Sequence, residues 1–254
     1  MLSFVGLGLY DERSITIQGR ERIEAAESVF VELYTSRLVG AEIEDVEAFH
    51  DVDIRVCDRA TVEQDPQPIL DAAADDNAVF LTAGDPMIAT THVDLRLRAH
   101  ERGIDTEVVH GVTAQSAASS LTGLQNYRFG PSTTLPFPDA HGASGLPGSV
   151  TDTIDQNRER DCHTLVFLDI KAAEKRYMTA DTACKLLADR YGDTLGVVVA
   201  RAGSPDPVVE ADRIDALQSR EFGDPLHLLV VPASLHHIES DALATFADAP
   251  ATLL

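Results

Sequence analysis

The sequence is poor in cysteine and contains no long apolar run. Its three cysteines, Cys57, Cys162 and Cys184, are odd in number and widely spaced among 254 residues, which argues against a disulfide framework and fits a reducing compartment. We expect them to be core residues. No run approaches the roughly 20 apolar residues of a membrane span, and the acidic amino terminus does not resemble a signal peptide. These absences predict a cytoplasmic protein with no membrane association.

Lysine is the scarcest charged residue, present only as Lys171, Lys175 and Lys185. The 42 acidic and 20 basic residues give a formal net charge of -22. Because the Debye length falls to about 3 Å in 1 M salt, a salty cytoplasm would screen the self-repulsion of such a surface. The composition therefore indicates a halophile whose activity rises with salt. It argues against nucleic-acid binding, since a phosphate-binding face needs clustered Lys and Arg.

Several catalytic signatures are also missing. The sequence has no Gly-x-Ser-x-Gly elbow and no Walker-type Gly-Lys-Ser motif, so hydrolase and kinase interpretations lose their main support. Nine histidines are present, but His236 and His237 are adjacent, and Cys162-His163 has no second ligand at a usual spacing. We therefore predict no metal site.

Apolar, β-branched segments alternate with helix-like segments along the chain. This alternation predicts an α/β protein. In the first half of the chain it predicts a mostly parallel sheet that is covered on both faces, and the second half is predicted to be another α/β unit. The predicted strands are residues 2–5, 29–33, 54–57, 79–81, 108–109, 164–168, 195–200 and 226–231. The predicted helices are residues 16–27, 68–75, 91–102, 113–121 and 180–191, the first with Ser14 or Thr16 as its N-cap.

A segment dense in glycine, proline and serine, residues 127–150, lies between the two groups of strands. A loop of this length is typical of a linker, a disordered tract or a functional lid. Covering a docked substrate and simply connecting two domains are equally compatible with it. We predict an amino-terminal α/β domain over residues 1–112 and a carboxyl-terminal α/β domain over residues 113–254, with a cleft between them.

The turn after the first strand carries two glycines, Gly6 and Gly8. Asp11 stands where a dinucleotide fingerprint would have its third glycine, and its carboxylate would oppose a pyrophosphate. Although Glu32 lies near the spacing of a ribose-binding acid, nicotinamide or flavin binding is not expected. The turn either approaches another small ligand or packs a tight β-to-α connection.

The segment 77–92, NAVFLTAGDPMIATTH, runs from a buried strand into a Gly-Asp-Pro turn, where an α/β protein places its chemistry. Gly84 allows close backbone approach, and Pro86 suits the first turn of a helix. Asp85 is therefore either a ligand-binding carboxylate or the cap of a following helix. The block HGVTA, beginning at His110, follows another strand and offers free N–H groups at a helix start, for which ligand binding and helix packing both remain open.

Six blocks of the sequence, taken in order, resemble the diphthine synthases, a branch of the tetrapyrrole methylase-like methyltransferases. They are SFVGLGLYDERSIT, FLTAGDPMIATTH, VVHGVTAQSAA, FLDIKAAEKRYMTA, VVVARAGSPDP and FGDPLHLLVVPASLHHIE. The resemblance spans nearly the whole chain. It implies two α/β domains with S-adenosylmethionine in the cleft between them, and a homodimer. It also implies methylation of the amino group of 3-amino-3-carboxypropyl-histidine on translation elongation factor 2, which forms diphthine in diphthamide biosynthesis.

The same resemblance implies which residues contact the cofactor. They are Leu9, Asp85, Ile88, Thr113, Ala114, Leu168, Ala202 and His227. Thr113 and Ala114 depart from the Ser-Ile pair associated with other members, a change that keeps a hydroxyl but trims apolar contact. Apolar residues with a few polar groups are typical of small-molecule sites.

The implied chemistry leaves the catalytic residues unassigned. A sulfonium makes the methyl group electrophilic, so the protein mainly aligns donor and amine and excludes water, and a dedicated general base need not be present. The amine must still lose its proton, for which His92 and Asp169 are candidates by proximity to the motif blocks alone. The alternatives are a precorrin methyltransferase of the same superfamily and a non-catalytic cofactor-binding module. The number of methyl groups added is not settled by the sequence.

Overall fold

The computed structural model describes residues 1–139 and 145–254. The chain forms two compact units. The first comprises Met1–Thr113 and Ala172–Glu174, and the second comprises Ala114–Lys171 and Lys175–Leu254. The predicted α/β class is confirmed in both units. Within the described ranges, no helix combines the length and the hydrophobicity that a bilayer crossing requires.

The first unit contains a five-stranded sheet in which every pairing is parallel. Its strands are β1 (Leu2–Gly6), β2 (Ser28–Glu32), β3 (Ile54–Cys57), β4 (Ala78–Thr82) and β5 (Thr106–Val109). The spatial order is β3-β2-β4-β1-β5, so β1 lies between β4 and β5. Successive residues of the strands point to opposite faces, with Phe4 and Phe80 in one buried cluster and Val5 and Leu81 in another. Burial on both faces explains why these strands read as continuous apolar runs.

Five helices connect these strands. They are α1 (Ile17–Glu24), α2 (Ile43–His50), α3 (Arg59–Glu63), α4 (Gln67–Asp75) and α5 (Val93–Glu101). Thr16 is the N-cap of α1 and accepts the N–H of Gly19 at 3.1 Å, which confirms one of the two predicted caps. Gly103 follows α5 with a φ of 71°, the left-handed conformation expected after a helix end.

The second unit contains a mixed sheet of order β11-β10-β12-β7-β6 and a short two-stranded ribbon, β8-β9. Its strands are β6 (Thr133–Leu135), β7 (Thr164–Leu168), β8 (Ile170–Lys171), β9 (Arg176–Tyr177), β10 (Leu195–Ala200), β11 (Val208–Arg213) and β12 (His227–Val231). Its helices are α6 (Ala114–Thr122), α7 (Gly148–Glu159), α8 (Ala180–Tyr191), α9 (Ile214–Leu217) and α10 (His237–Phe246). Only the β6–β7 pairing in its five-stranded sheet is parallel.

Two sequence predictions need correction. Residues 127–150 are not an unstructured loop throughout, since they contain β6 and the start of α7; residues 140–144 lie outside the described part. Pro86 does not begin a helix, because α5 starts only at Val93. Instead, Asp85 Oδ1 accepts the N–H of Met87 at 2.9 Å, which turns the chain back immediately after the strand.

Candidate functional site

Three glycines pack together at the carboxyl ends of β4, β1 and β5. A Cβ built on Gly6 would lie 2.5 Å from the carbonyl oxygen of Gly84 and 2.6 Å from the amide nitrogen of Gly111. Gly84 has a φ of 79° and exchanges backbone hydrogen bonds with Gly8. Because β1 ends without a side chain at Gly6, the loops that follow β4 and β5 can meet across it.

Asp85 lies in the first of these loops and has a side chain that is only 4% exposed. Its Oδ1 accepts the N–H of Met87, while its Oδ2 accepts the N–H of Gly111 at 3.3 Å and the Nδ1–H of His110 at 2.8 Å. No helix follows it directly, so the interpretation of Asp85 as a helix cap is wrong. A carboxylate offers about four acceptor positions, and these three bonds leave one for a ligand.

His110 follows β5 and extends outward from the same edge. Its side chain is 75% exposed, and Asp85 holds the ring by one nitrogen. Because Asp85 accepts a hydrogen bond from Nδ1, the neutral ring carries its proton on Nδ1. The lone pair of Nε2 is then free. The predicted site included Thr113 and Ala114 from this block but not His110, although the rule that singled out Asp85, a polar residue just beyond a buried strand, applies to it equally.

Exposed apolar side chains accompany this polar pair. Ile88 is 43% exposed and Val112 is 55% exposed, so both offer apolar surface beside a carboxylate. Leu9 directly follows Gly8, which pairs with Gly84. Thr113 lies near the same glycine, since a Cβ on Gly84 would be 4.0 Å from the Thr113 Cα. The first unit thus brings Leu9, Asp85, Ile88 and Thr113 to one edge of its sheet.

Behind the Asp85 loop lies a fully buried pair, Glu32 and His92. His92 Nδ1 lies 3.1 Å from the carbonyl oxygen of Pro86, and its Nε2 lies 3.6 Å from Glu32 Oε1. Burial raises the pKa of Glu32 and lowers the pKa of His92, which favours a neutral pair. Glu32 also accepts the backbone N–H groups of Tyr34 and Thr35. Neither side chain is accessible, so Glu32 cannot bind a ribose and His92 cannot reach a protein substrate.

The second unit carries the other four predicted residues. Leu168 ends β7, His227 begins the neighbouring antiparallel strand β12, and Ala202 lies two residues beyond the end of β10, where Ala200 pairs with His227. These three therefore share one edge of the second sheet. Ala114 begins α6, and it packs with Ala202 against the same apolar cluster.

Both ring nitrogens of His227 form hydrogen bonds within the second unit. Its Nδ1 accepts the N–H of Ala180, the first residue of α8, at 3.0 Å, and its Nε2–H donates to the carbonyl oxygen of Asp224 at 3.0 Å. Burial lowers the pKa of this imidazole, in agreement with a neutral ring. Any contact of His227 with a ligand must therefore use the ring face or the backbone. Asp169 is also engaged, since its Oδ2 accepts the N–H of Phe137 at 2.8 Å.

Residues 1–218 match the family model described as tetrapyrrole (corrin/porphyrin) methylases. The chain is 65% identical to diphthine synthase from Halorubrum lacusprofundi, a match that covers 100% of this chain and 99% of that protein. It is also 65% identical to diphthine synthase from Halobacterium salinarum, with 100% of both chains covered. A crystal structure of diphthine synthase superposes with a TM-score of 0.91 at 38% identity, covering 99% of this chain and 98% of that one. The chain belongs to the diphthine synthase family.

Membership of the diphthine synthase family confirms the resemblance of the six sequence blocks and makes the protein a methyltransferase. The full-length matches favour the diphthine branch over a precorrin methyltransferase. Across residues 1–139 and 145–254, no group of three or more His, Cys, Asp and Glu side chains is arranged to hold a metal ion. At its sheet edge the first unit offers a buried carboxylate, an exposed imidazole and apolar surface.

Proposed function

We propose that this protein transfers methyl groups from S-adenosylmethionine to the amino group of 3-amino-3-carboxypropyl-histidine on translation elongation factor 2, forming diphthine. The observation that carries the proposal is the 65% identity to diphthine synthases over the full length of the chain. The enzyme would act in the cytoplasm as a homodimer. The cytoplasmic location follows from the composition, and the homodimer follows from the family resemblance.

The predicted contact residues suit a methyl donor of this kind. Leu9 and Ile88 supply apolar surface for an adenine ring, and the remaining acceptor position of Asp85 suits a ribose hydroxyl or the ammonium of the methionine moiety. The donor supplies an electrophilic methyl group, so the protein has to align the amine with it and keep water away. Leu168 and Ala202 would add apolar contacts, and the neutral His227 ring would add no charge beside the sulfonium.

Mass spectrometry of the elongation factor tests the proposal directly. The purified factor carrying the 3-amino-3-carboxypropyl-histidine is incubated with the enzyme and S-adenosylmethionine, and the peptide that contains the modified histidine is then weighed. We expect the mass to rise by whole methyl increments, whose number also gives the extent of methylation. A matched reaction with S-adenosylhomocysteine controls for other changes. An unchanged peptide in the presence of the donor would contradict the proposal.

The net charge of -22 adds a proposal about conditions, namely that the enzyme is halophilic. Screening by concentrated salt reduces the self-repulsion of an acidic surface and its repulsion of an acidic partner. Running the same assay at increasing potassium chloride concentrations should therefore raise the initial rate from dilute buffer toward molar salt. Maximal turnover in dilute buffer would contradict this part of the proposal.

A further inference from the structure

The reaction proposed above requires a group that removes a proton from the substrate amine, because a protonated amine has no lone pair with which to attack a methyl carbon. Of the two candidates suggested by the sequence, His92 does not serve, because it is fully buried and faces Pro86 and Glu32. Asp169 is a carboxylate, a weaker base than an imidazole, and its Oδ2 already accepts the backbone N–H of Phe137. His110 has what both lack, an accessible ring nitrogen beside the predicted donor site.

We propose that His110 is the general base of the methyl transfer and that Asp85 positions it; the inference rests on the proposed function. Nε2 of His110 takes the proton from the substrate ammonium. The nitrogen lone pair then forms the N–C bond to the methyl carbon, and the electron pair of the breaking C–S bond returns to sulfur, which leaves as a neutral thioether. The proton passes from His110 to solvent, so atoms and charge balance.

The geometry at Asp85 distinguishes this pair from an ordinary surface ion pair. The carboxylate is 4% exposed and is already fixed by the N–H groups of Met87 and Gly111, whereas surface pairs join two mobile side chains. A rigid acceptor 2.8 Å from Nδ1 selects one tautomer and one ring orientation. The same division of labour, a buried carboxylate that orients an imidazole whose other nitrogen handles the proton, operates in catalytic triads.

The position of His110 also meets the access requirement of a base that acts on a protein. At 75% exposure its ring can be reached by a side chain from another macromolecule. It lies at the carboxyl edge of a parallel sheet, where α/β proteins bind their ligands. Asp85 contacts Nδ1 of the ring at 2.8 Å and so holds the ring in one orientation while Nε2 takes up the proton.

Two substitutions of His110 test its role as the base. His110→Ala removes the base and leaves space for a small molecule, whereas His110→Asn keeps an N–H donor for Asp85 but has no basic nitrogen. Both variants should fold, because the side chain is exposed. We expect each to lose about 100-fold or more in kcat, with the affinity for S-adenosylmethionine unchanged by calorimetry. Added imidazole should restore part of the rate of His110→Ala and none of the rate of His110→Asn.

A measurement that does not depend on turnover uses chemical modification. Diethyl pyrocarbonate modifies accessible imidazoles, and mass spectrometry locates the modified residue. With S-adenosylhomocysteine present to block turnover, the elongation factor should protect His110 of the wild-type enzyme. His237, exposed at the start of α10, serves as the internal control and should remain equally reactive with and without the factor.

The outcomes separate this inference from the proposed function. If the wild-type enzyme leaves the factor unmodified, the proposed function fails and the inference fails with it. If the wild type is active and His110→Ala retains its rate, loses it without rescue by imidazole, or loses donor affinity in proportion, His110 is not the base. Equal modification of His110 with and without the factor would likewise overturn the inference.

Discussion

Replacing Gly6 by alanine should destabilise the first unit by more than about 3 kcal/mol and abolish methyl transfer. The added Cβ would lie 2.5 Å from the Gly84 carbonyl oxygen and 2.6 Å from the Gly111 amide nitrogen. Both neighbours are backbone atoms, so no side chain can move aside to make room. The loops after β4 and β5 would have to separate, and with them Asp85 and His110. Thermal or denaturant unfolding in molar salt measures the change.

The same substitution at Gly148 is the control for Gly6→Ala. A Cβ at Gly148 meets no atom within 4 Å, and the residue begins helix α7, where alanine is the better helix former. We expect Gly148→Ala to be neutral or slightly stabilising and fully active. If Gly6→Ala proved as stable as Gly148→Ala, the close packing of the three loops would be refuted.

Glu239→Ala should cost about 3–5 kcal/mol in the second unit, because it leaves a buried partner unpaired. Glu239 is fully buried at the start of α10. Its carboxylate contacts His163 Nε2 at 3.0 Å and Arg128 at 2.5 Å, and it accepts the backbone N–H groups of Gln125 and His236, each at 2.9 Å. The Glu239 side chain thus connects the segment that contains Gln125 and Arg128, the residue before β7 and the start of α10. Denaturant unfolding measures the loss.

Asp241→Ala, on the exposed face of the same helix, provides the matched control and should change stability by no more than about 0.5 kcal/mol. An equal loss in both variants would contradict the role of the buried network.

The network should also make the wild type sensitive to acid. Burial lowers the pKa of His163 from 6.5; the pKa of Glu239 is lowered from 4.5, because its hydrogen bonds outweigh the opposing effect of burial. Each group therefore contributes to the stability of the fold at pH values above its ordinary pKa. This stability is lost as the pH falls through the lowered pKa of the folded state.

The sequence predicts best those elements whose apolar pattern follows from their own burial. Strands Thr164–Leu168 and Leu195–Ala200 and helix Ala180–Tyr191 have the bounds that their apolar runs indicate. Strand β6, Thr133–Leu135, was not predicted, because prolines and glycines surround it and its pairing with β7 depends on tertiary structure. The mixed sheet of the second unit could not be predicted either, since strand direction depends on how the chain returns between strands.

In the candidate site, too, some features could be predicted from the sequence and others could not. The position of Asp85 at a strand end could be predicted, because the Gly-Asp-Pro turn follows an apolar run directly. Its bond to His110, 25 residues further along the chain, could not, because it depends on β1 lying between β4 and β5 and ending in a glycine. The buried pair of Glu32 and His92 was equally hidden, since single-sequence patterns do not reveal which polar residues face inward.

The most direct test of the account is a crystal structure of the protein with S-adenosylmethionine bound. We predict that the donor contacts Asp85, Ile88 and the turn at Leu9, with its methyl group facing Nε2 of His110 closely enough for an amine to lie between them. A donor bound away from Asp85, or a methyl group facing away from His110, would contradict the account.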